Sequence, residues 1–98
     1  MTKEKAIEIL EKAAEFIETA IKLDKESGGM FCLGTDTSRE INVSASRWPE
    51  IIGAIQPVIT YDATWAPKLK CTKASFKMQL LGKEYEVFTL FLRRENND

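Results

Sequence analysis

Residues 1 to 26 place apolar side chains at the spacing of an α-helix, in one wide stripe. Thr2 can cap the start of this helix, and Glu4 lies in its first turn, where the positive end of the helix dipole favours an acid. Gly28 suits the left-handed position that ends a helix. The pattern predicts a long N-terminal helix that can lie across a sheet, with apolar positions at Ala6, Ile9, Leu10, Ala13, Phe16, Ile17, Ala20 and Leu23.

The polar face of this predicted helix carries acidic and basic side chains four residues apart. Glu8 precedes Lys12 and Glu18 precedes Lys22, which is the order that stabilises a helix. We therefore expect both pairs to form ion pairs on the face opposite the apolar stripe.

After the two glycines the apolar residues recur with the period of a β-strand. Residues 30–33 form a short apolar run and residues 40–45 alternate polar with apolar positions, so together they predict a hairpin. Ser46 is a suitable N-cap for a short second helix. This helix is expected to end before Gln56, because a residue that precedes proline avoids the helical conformation. Residues 58–61 predict a third strand.

The last third of the chain predicts a long hairpin. Residues 69–80 form its first strand, in which the apolar positions switch parity near Thr72 and Lys73 and imply a bulge or a break there. Gly82-Lys83 is a candidate two-residue turn. Residues 85–92 are apolar on both parities, which is typical of a central strand covered on both faces. Residues 93–98 are polar and are expected to fray.

These elements follow one another in the order α-β-β-α-β-β-β and predict an α+β fold. Both helices are expected to pack on an antiparallel sheet of about five strands. The length of 98 residues corresponds to a single domain, residues 1–98. If both helices cover the same face of the sheet, the apolar side chains on the other side of the last strand need a partner.

The composition argues against several kinds of chemistry. The chain has 14 basic residues, 15 acidic residues and no histidine, so the commonest general base and metal ligand is missing. Its two cysteines, Cys32 and Cys71, are too few for a zinc site or a disulfide framework. No motif for a nucleotide or a metal is present. We therefore expect no cofactor, no metal and no catalytic residue, in a cytoplasmic chain without a membrane span.

A row of lysines supports one alternative, an accessory protein that binds nucleic acid through the strand from Lys68 to Lys83. Lys68, Lys70, Lys73 and Lys77 are the candidate contacts, because lysines beside aromatic residues on a sheet bind single strands. The lysines do not share one parity, however, and lysine on a strand is also the usual guard against edge-to-edge aggregation. We favour protection against aggregation over nucleic-acid binding as the role of these lysines.

A second alternative is a small enzyme or a ligand-binding domain. Asp36 and Asp62 are its candidate carboxylates, and a pocket between the long helix and the sheet is its candidate site. Asp36 lies in a predicted turn, where aspartate commonly bonds its own backbone. This alternative therefore ranks below the others.

Two tryptophans and the last strand favour a non-catalytic interaction or regulatory domain that forms a homodimer. Trp48 and Trp65 occupy a helix start and a loop, and tryptophan is enriched at binding surfaces. The alternative is that each tryptophan fills the edge of the core, and this interpretation is favoured for Trp48 and equal to the binding role for Trp65. Val87 and Phe91 are the side chains of the last strand that are expected to need cover. The sequence thus predicts an interaction surface made of Trp48, Trp65, Val87 and Phe91, with a second copy or another protein as the partner.

Overall fold

A computed structural model describes residues 1–29, 39–63 and 71–92 of the chain. Within these ranges two helices accompany a four-stranded sheet, which confirms the α+β class with a long and a short helix. The sheet has the order β1-β4-β3-β2. The elements are α1 (Lys3–Glu26), β1 (Glu40–Asn42), α2 (Trp48–Ile55), β2 (Thr60–Asp62), β3 (Cys71–Leu80) and β4 (Lys83–Leu92).

The sheet is mixed, so the prediction of an antiparallel sheet is wrong. β1 pairs parallel with β4, with Ile41 opposite Val87, whereas β2 with β3 and β3 with β4 pair antiparallel. Alternation of polar and apolar residues identifies a strand but says nothing of its neighbour, and a parallel neighbour is always distant along the chain. The strand predicted at 30–33, with its hairpin, and the predicted tail at 93–98 lie outside the described residues.

The prediction of a central last strand is confirmed, because β4 lies between β1 and β3. The β3–β4 hairpin is also confirmed, and its ladder runs without a break from Cys71 opposite Leu92 to Leu80 opposite Lys83. The predicted bulge near Thr72 is therefore wrong. Cys71 is buried although its parity is opposite to that of Ala74, so the switch in the pattern marks apolar residues on both faces.

Both ends of α1 are formed as predicted. The backbone N–H of Lys5 donates to Thr2 Oγ1 over 3.1 Å, and this bond satisfies an N–H group that the first turn leaves unpaired. At the other end Gly28 has a φ of 67°. The N–H of Gly29 donates to the Asp24 carbonyl over 2.9 Å, which completes a Schellman motif.

The short helix α2 ends as predicted but begins differently. It stops at Ile55, and Gln56 turns the chain with a left-handed φ of 54°. Its N-cap is Arg47 instead of Ser46. The Ser44 carbonyl accepts the N–H of Trp48 over 2.9 Å, so a backbone turn replaces the side-chain cap that the sequence suggested.

Both helices pack on one face of the sheet. The buried side chains of α1 are Ala6, Leu10, Ala14 and Ile17. They join Trp48 and Ile51 of α2 and the strand residues Ile41, Ala74, Phe76, Leu80, Tyr85 and Val87 in one cluster. Trp48 packs against Phe76 with 5.6 Å between the ring centroids. The core is thus built from one parity of β3 and of β4.

The hairpin turn leads to a first prediction about stability. Leu80 pairs with Lys83, so the turn residues are Leu81 and Gly82, one position earlier than predicted. Their φ values are 54° and 75°, as in a type I′ turn. Leucine is strained in this conformation and asparagine adopts it readily, so Leu81→Asn is expected to raise the free energy of unfolding by about 1 kcal/mol. Urea denaturation measures the change.

The matched control for this turn is Leu92→Asn. Leu92 is also an exposed leucine, but it lies at the end of β4 and its φ is not positive. We expect no gain from this control. Equal stability of wild type and Leu81→Asn would contradict the strain at Leu81.

Candidate interaction surface

The apolar stripe of α1 is wider than the part that the sheet covers. Its inner half, which includes Leu10 and Ile17, is buried in the core. Its outer half keeps Ile9, Phe16 and Leu23 exposed by 40%, 73% and 44%. From the sequence, both halves were expected to form one stripe facing the sheet. The stripe is wider than the area that the sheet can cover, and this width was the sign of a second apolar surface.

The three exposed side chains repeat every seven residues along α1. Ala13 and Ala20 lie between them, so apolar residues follow one another at alternating steps of four and three. This is the spacing of a seam between two helices, and small alanines allow the backbones to approach closely. The seam from Ile9 to Leu23 is about 21 Å long, because each helical residue rises 1.5 Å. We call these five residues the outer face of α1.

A groove adjoins the N-terminal half of the outer face. It has a volume of about 330 Å³ and lies between α1, β1 and α2. Its apolar lining includes Ile9 and Ala13, which also belong to the outer face, together with Ile41, Val43 and Ile51. The seam and the groove therefore form one continuous apolar surface.

The groove carries little that could perform chemistry. Among the described residues its one carboxylate is Glu50, which forms a 2.7 Å ion pair with Arg47, also at the groove. Asp62 lies on β2, opposite Lys73, and is not part of the lining. Asp36 lies outside the described residues. The groove thus supports apolar contact better than acid–base catalysis.

The charged side chains that border the outer face are basic near its N-terminal half and acidic near its C-terminal end. Lys5 and Lys12 stand beside its N-terminal half, and Glu26 stands beside its C-terminal end. All three side chains are exposed, and each also pairs within α1: Lys5 and Lys12 with Glu8, and Glu26 with Lys22. Such exposed pairs contribute little to stability, so these charges are available to a partner.

A polar cluster around Glu18 holds α1 on the sheet. Glu18 accepts two hydrogen bonds from Arg39, at 2.7 and 3.1 Å, and one from Lys83 Nζ at 2.6 Å. The Tyr85 hydroxyl also donates to Glu18 and lies 3.3 Å from the carbonyl oxygen of Ala14. The predicted pairing of Glu18 with Lys22 is therefore wrong. Three donors that the fold brings close, Arg39, Lys83 and Tyr85, bind this carboxylate instead.

The donors of this cluster change the acidity of two groups. Hydrogen bonds from Arg39, then from Lys83 and Tyr85, lower the pKa of Glu18 to about 2. Burial, together with the hydrogen bond to Glu18, raises the pKa of Tyr85 to about 12. Glu18 is ionised and fully occupied by donors near neutral pH. The cluster thus fixes α1 on the sheet in an orientation that leaves the outer face of α1 pointing away from the sheet.

The structure places the predicted interaction residues differently from the sequence. Val87 is completely buried on the face that the helices cover, and Trp48 is 2% exposed against Phe76. Phe91 is partly buried at the margin of the core, and Trp65 lies outside the described residues. Neither side chain is exposed to a partner in this fold, because Val87 on β4 faces the helices and Trp48 on α2 faces the sheet.

The side chains of β4 that point away from the helices are those of the other parity. Phe88 and Leu90 are partly buried there, and Leu92 at the strand end is exposed. The sequence predicted correctly that β4 is apolar on both sides. It could not say which side the helices cover.

In the described part of the segment from Lys68 to Lys83, the candidate lysines Lys73 and Lys77 form ion pairs. Lys73 Nζ lies 2.6 Å from Glu86 Oε1 and 4.8 Å from the centre of the Phe88 ring. Lys77 Nζ lies 3.8 Å from a carboxylate oxygen of Glu84. Both lysines lie on the face away from the helices, whereas the candidate contacts Lys68 and Lys70 lie outside the described residues. This face presents alternating charges where nucleic acid would need a positive strip.

Two further features bear on function. In the described ranges, no group of three histidine, cysteine or acidic residues is arranged to hold a metal ion. No helix in the same ranges is long and apolar enough to cross a bilayer.

Comparison with protein-family models, with curated proteins and with solved structures found no match for this chain.

Proposed function

We propose that the chain is a non-catalytic protein-interaction domain that acts through the outer face of α1 and the adjoining groove, with a second copy of itself as the favoured partner. The observation that carries the proposal is Phe16, which is 73% exposed at the centre of a seven-residue repeat. Single exposed apolar residues are ordinary on protein surfaces, but a contiguous row of them beside an apolar groove is typical of an interface.

The energetics of the outer face support this proposal. Burying Ile9, Phe16 and Leu23 against a partner removes their exposed apolar area from water and contributes on the order of 3–5 kcal/mol. The groove adds Val43, which is partly buried, and the small exposed edges of the core residues Ile41 and Ile51. An aromatic residue at the centre and charged residues at the border match the composition of binding surfaces.

The rigidity of the outer face also supports it. Glu18 ties α1 to Arg39 and to Lys83 and Tyr85 of β4, so the seam is presented by a helix whose position is fixed. A surface that is ordered before binding costs less entropy to immobilise than a flexible one. Interaction through a preformed helical seam therefore needs no rearrangement of the domain.

Photo-crosslinking in the cells that naturally make the protein tests this proposal for any partner. The photoreactive amino acid p-benzoylphenylalanine replaces Phe16, and in the matched control it replaces Val58, which is 93% exposed in the segment between α2 and β2. We expect covalent adducts with defined protein partners, a second copy included, from position 16 and none from position 58. Absence of adducts from position 16, with the same result at positions 9 and 23, would refute the proposal.

A further inference from the structure

We infer that the partner on the outer face is a second copy of the chain, whose α1 lies antiparallel to the first with the two Phe16 side chains meeting at the two-fold axis. This inference rests on the proposed function and specifies its partner and geometry. It is carried by the order of apolar and charged residues along α1.

The apolar seam permits this pairing. Phe16 is the middle member of the row, with Ile9 seven residues before it and Leu23 seven residues after it. In an antiparallel pair centred on Phe16, Ile9 of one copy faces Leu23 of the other, and the same contact occurs twice. Such self-complementary contacts are what a two-fold dimer requires. Ala13 and Ala20 flank the centre and let the helices approach to the usual spacing of about 8–10 Å.

The bordering charges select the antiparallel direction. Lys5, Lys12 and Glu26 all lie on the same side of the seam, so antiparallel pairing places Lys5 of each copy beside Glu26 of the other. In a parallel pair this row would lie on opposite sides of the interface in the two copies, and Lys5 would not meet Glu26. Residues that border a helical seam set the orientation of the pair through such attractions. Opposed helix dipoles favour the same direction.

The groove supplies surface that the seam alone lacks. A stable interface takes about 800 Å² from each partner, more than the three partly exposed side chains Ile9, Phe16 and Leu23 provide. The groove opens beside Ile9 and Ala13, next to the place where Leu23 of the second copy lies in this arrangement. By symmetry each copy covers the groove of the other, so both grooves contribute to the dimer.

A charge-swap cycle in the purified protein tests the inference. Lys5→Glu and Glu26→Lys are each expected to weaken the dimer about tenfold, because each variant converts two attractive contacts into repulsive ones. The double variant, Lys5→Glu with Glu26→Lys, restores the attraction and is expected to return to the wild-type dissociation constant. Sedimentation equilibrium over a range of protein concentrations measures all four proteins.

The matched control for this cycle is Lys3→Glu, which makes the same charge change in the first turn of α1. Lys3 lies outside the row of residues that borders the seam, so the dissociation constant is expected to stay unchanged. Absence of rescue in the double variant, or equal weakening by Lys3→Glu, would overturn the antiparallel pairing.

Disulfide trapping provides a second, independent measurement of direction. Ile9→Cys and Leu23→Cys variants are oxidised separately and as a mixture, and oxidised wild type shows the background from Cys32 and Cys71. Antiparallel pairing predicts a cross-linked species only in the mixture, because each engineered cysteine then meets its counterpart. A disulfide dimer formed by Ile9→Cys alone would indicate parallel pairing and overturn the inference.

The two experiments separate the inference from the function on which it rests. A wild-type protein that keeps the mass of one chain at all concentrations overturns the second-copy partner. Adducts from position 16 with a different protein would then leave the interaction function standing. Failure of both the dimer and the adducts would refute both proposals.

Discussion

Replacement of Val87 by aspartate is expected to unfold the domain. Val87 is 0% exposed on the central strand, where it lies opposite Ile41 on one side and Phe76 on the other. A carboxylate at this position is buried without a partner, which costs about 4–5 kcal/mol or more. This is comparable to the whole stability of a small domain, about 5–15 kcal/mol. Circular dichroism and urea denaturation measure the loss.

Leu92→Asp is the matched control for the replacement of Val87. Leu92 belongs to the same strand, but it is 80% exposed, so the free energy of unfolding is expected to change by about 0.5 kcal/mol or less. A folded Val87→Asp protein of wild-type stability would mean that Val87 lies at the surface, as the sequence alone suggested. Loss of folding in the Leu92 control would instead show that aspartate is not tolerated anywhere on this strand.

The second large effect is expected at Glu18. Glu18→Ala removes the acceptor for Arg39 and Lys83 and leaves these two cations close together, and it also removes an acceptor for the Tyr85 hydroxyl. Loss of several charge-assisted hydrogen bonds in a partly buried site costs about 2–4 kcal/mol. Glu15→Ala is the control, because it makes the same charge change at an exposed position of α1. Denaturant titration at pH 7 is expected to show a small effect for the control alone.

The contribution of Glu18 is expected to depend on pH. Its folded pKa, about 2, lies below the ordinary value of 4.5, so the unfolded chain takes up the proton first as the pH falls. The stabilisation by the carboxylate is therefore present above about pH 4.5 and is lost as the pH falls towards 2. Wild type and Glu18→Ala should converge in stability over this interval. An unchanged difference between them at pH 7 and pH 2 would contradict the role of the ionised carboxylate.

Features that depend on residues close together in the chain could be determined from the sequence alone. Thr2 and Gly28 mark the ends of α1, because caps act within one helical turn. The β3–β4 hairpin follows from two apolar runs joined by a short turn, and the density of apolar residues in residues 85–92 identified the central strand. Turn position and the cap of α2 were one residue off, since several neighbouring residues can serve equally well.

The tertiary structure alone decided which apolar residues face a partner. The helical period placed Phe16 and Ile17 in the same wide stripe, and only the packing of α1 on the sheet buried Ile17 and left Phe16 exposed. Strand alternation likewise left Val87 and Phe88 equivalent until the helices covered one face.

The same holds for the polar contacts and for the strand order. Glu18 meets Arg39 and Tyr85 across more than twenty and more than sixty residues of chain, and β1 pairs with β4 in parallel. A local sequence pattern shows that successive residues alternate between two faces of a helix or strand. Which environment becomes core, which becomes surface and which charges meet is determined by contacts between distant segments, and these exist only once the chain has folded.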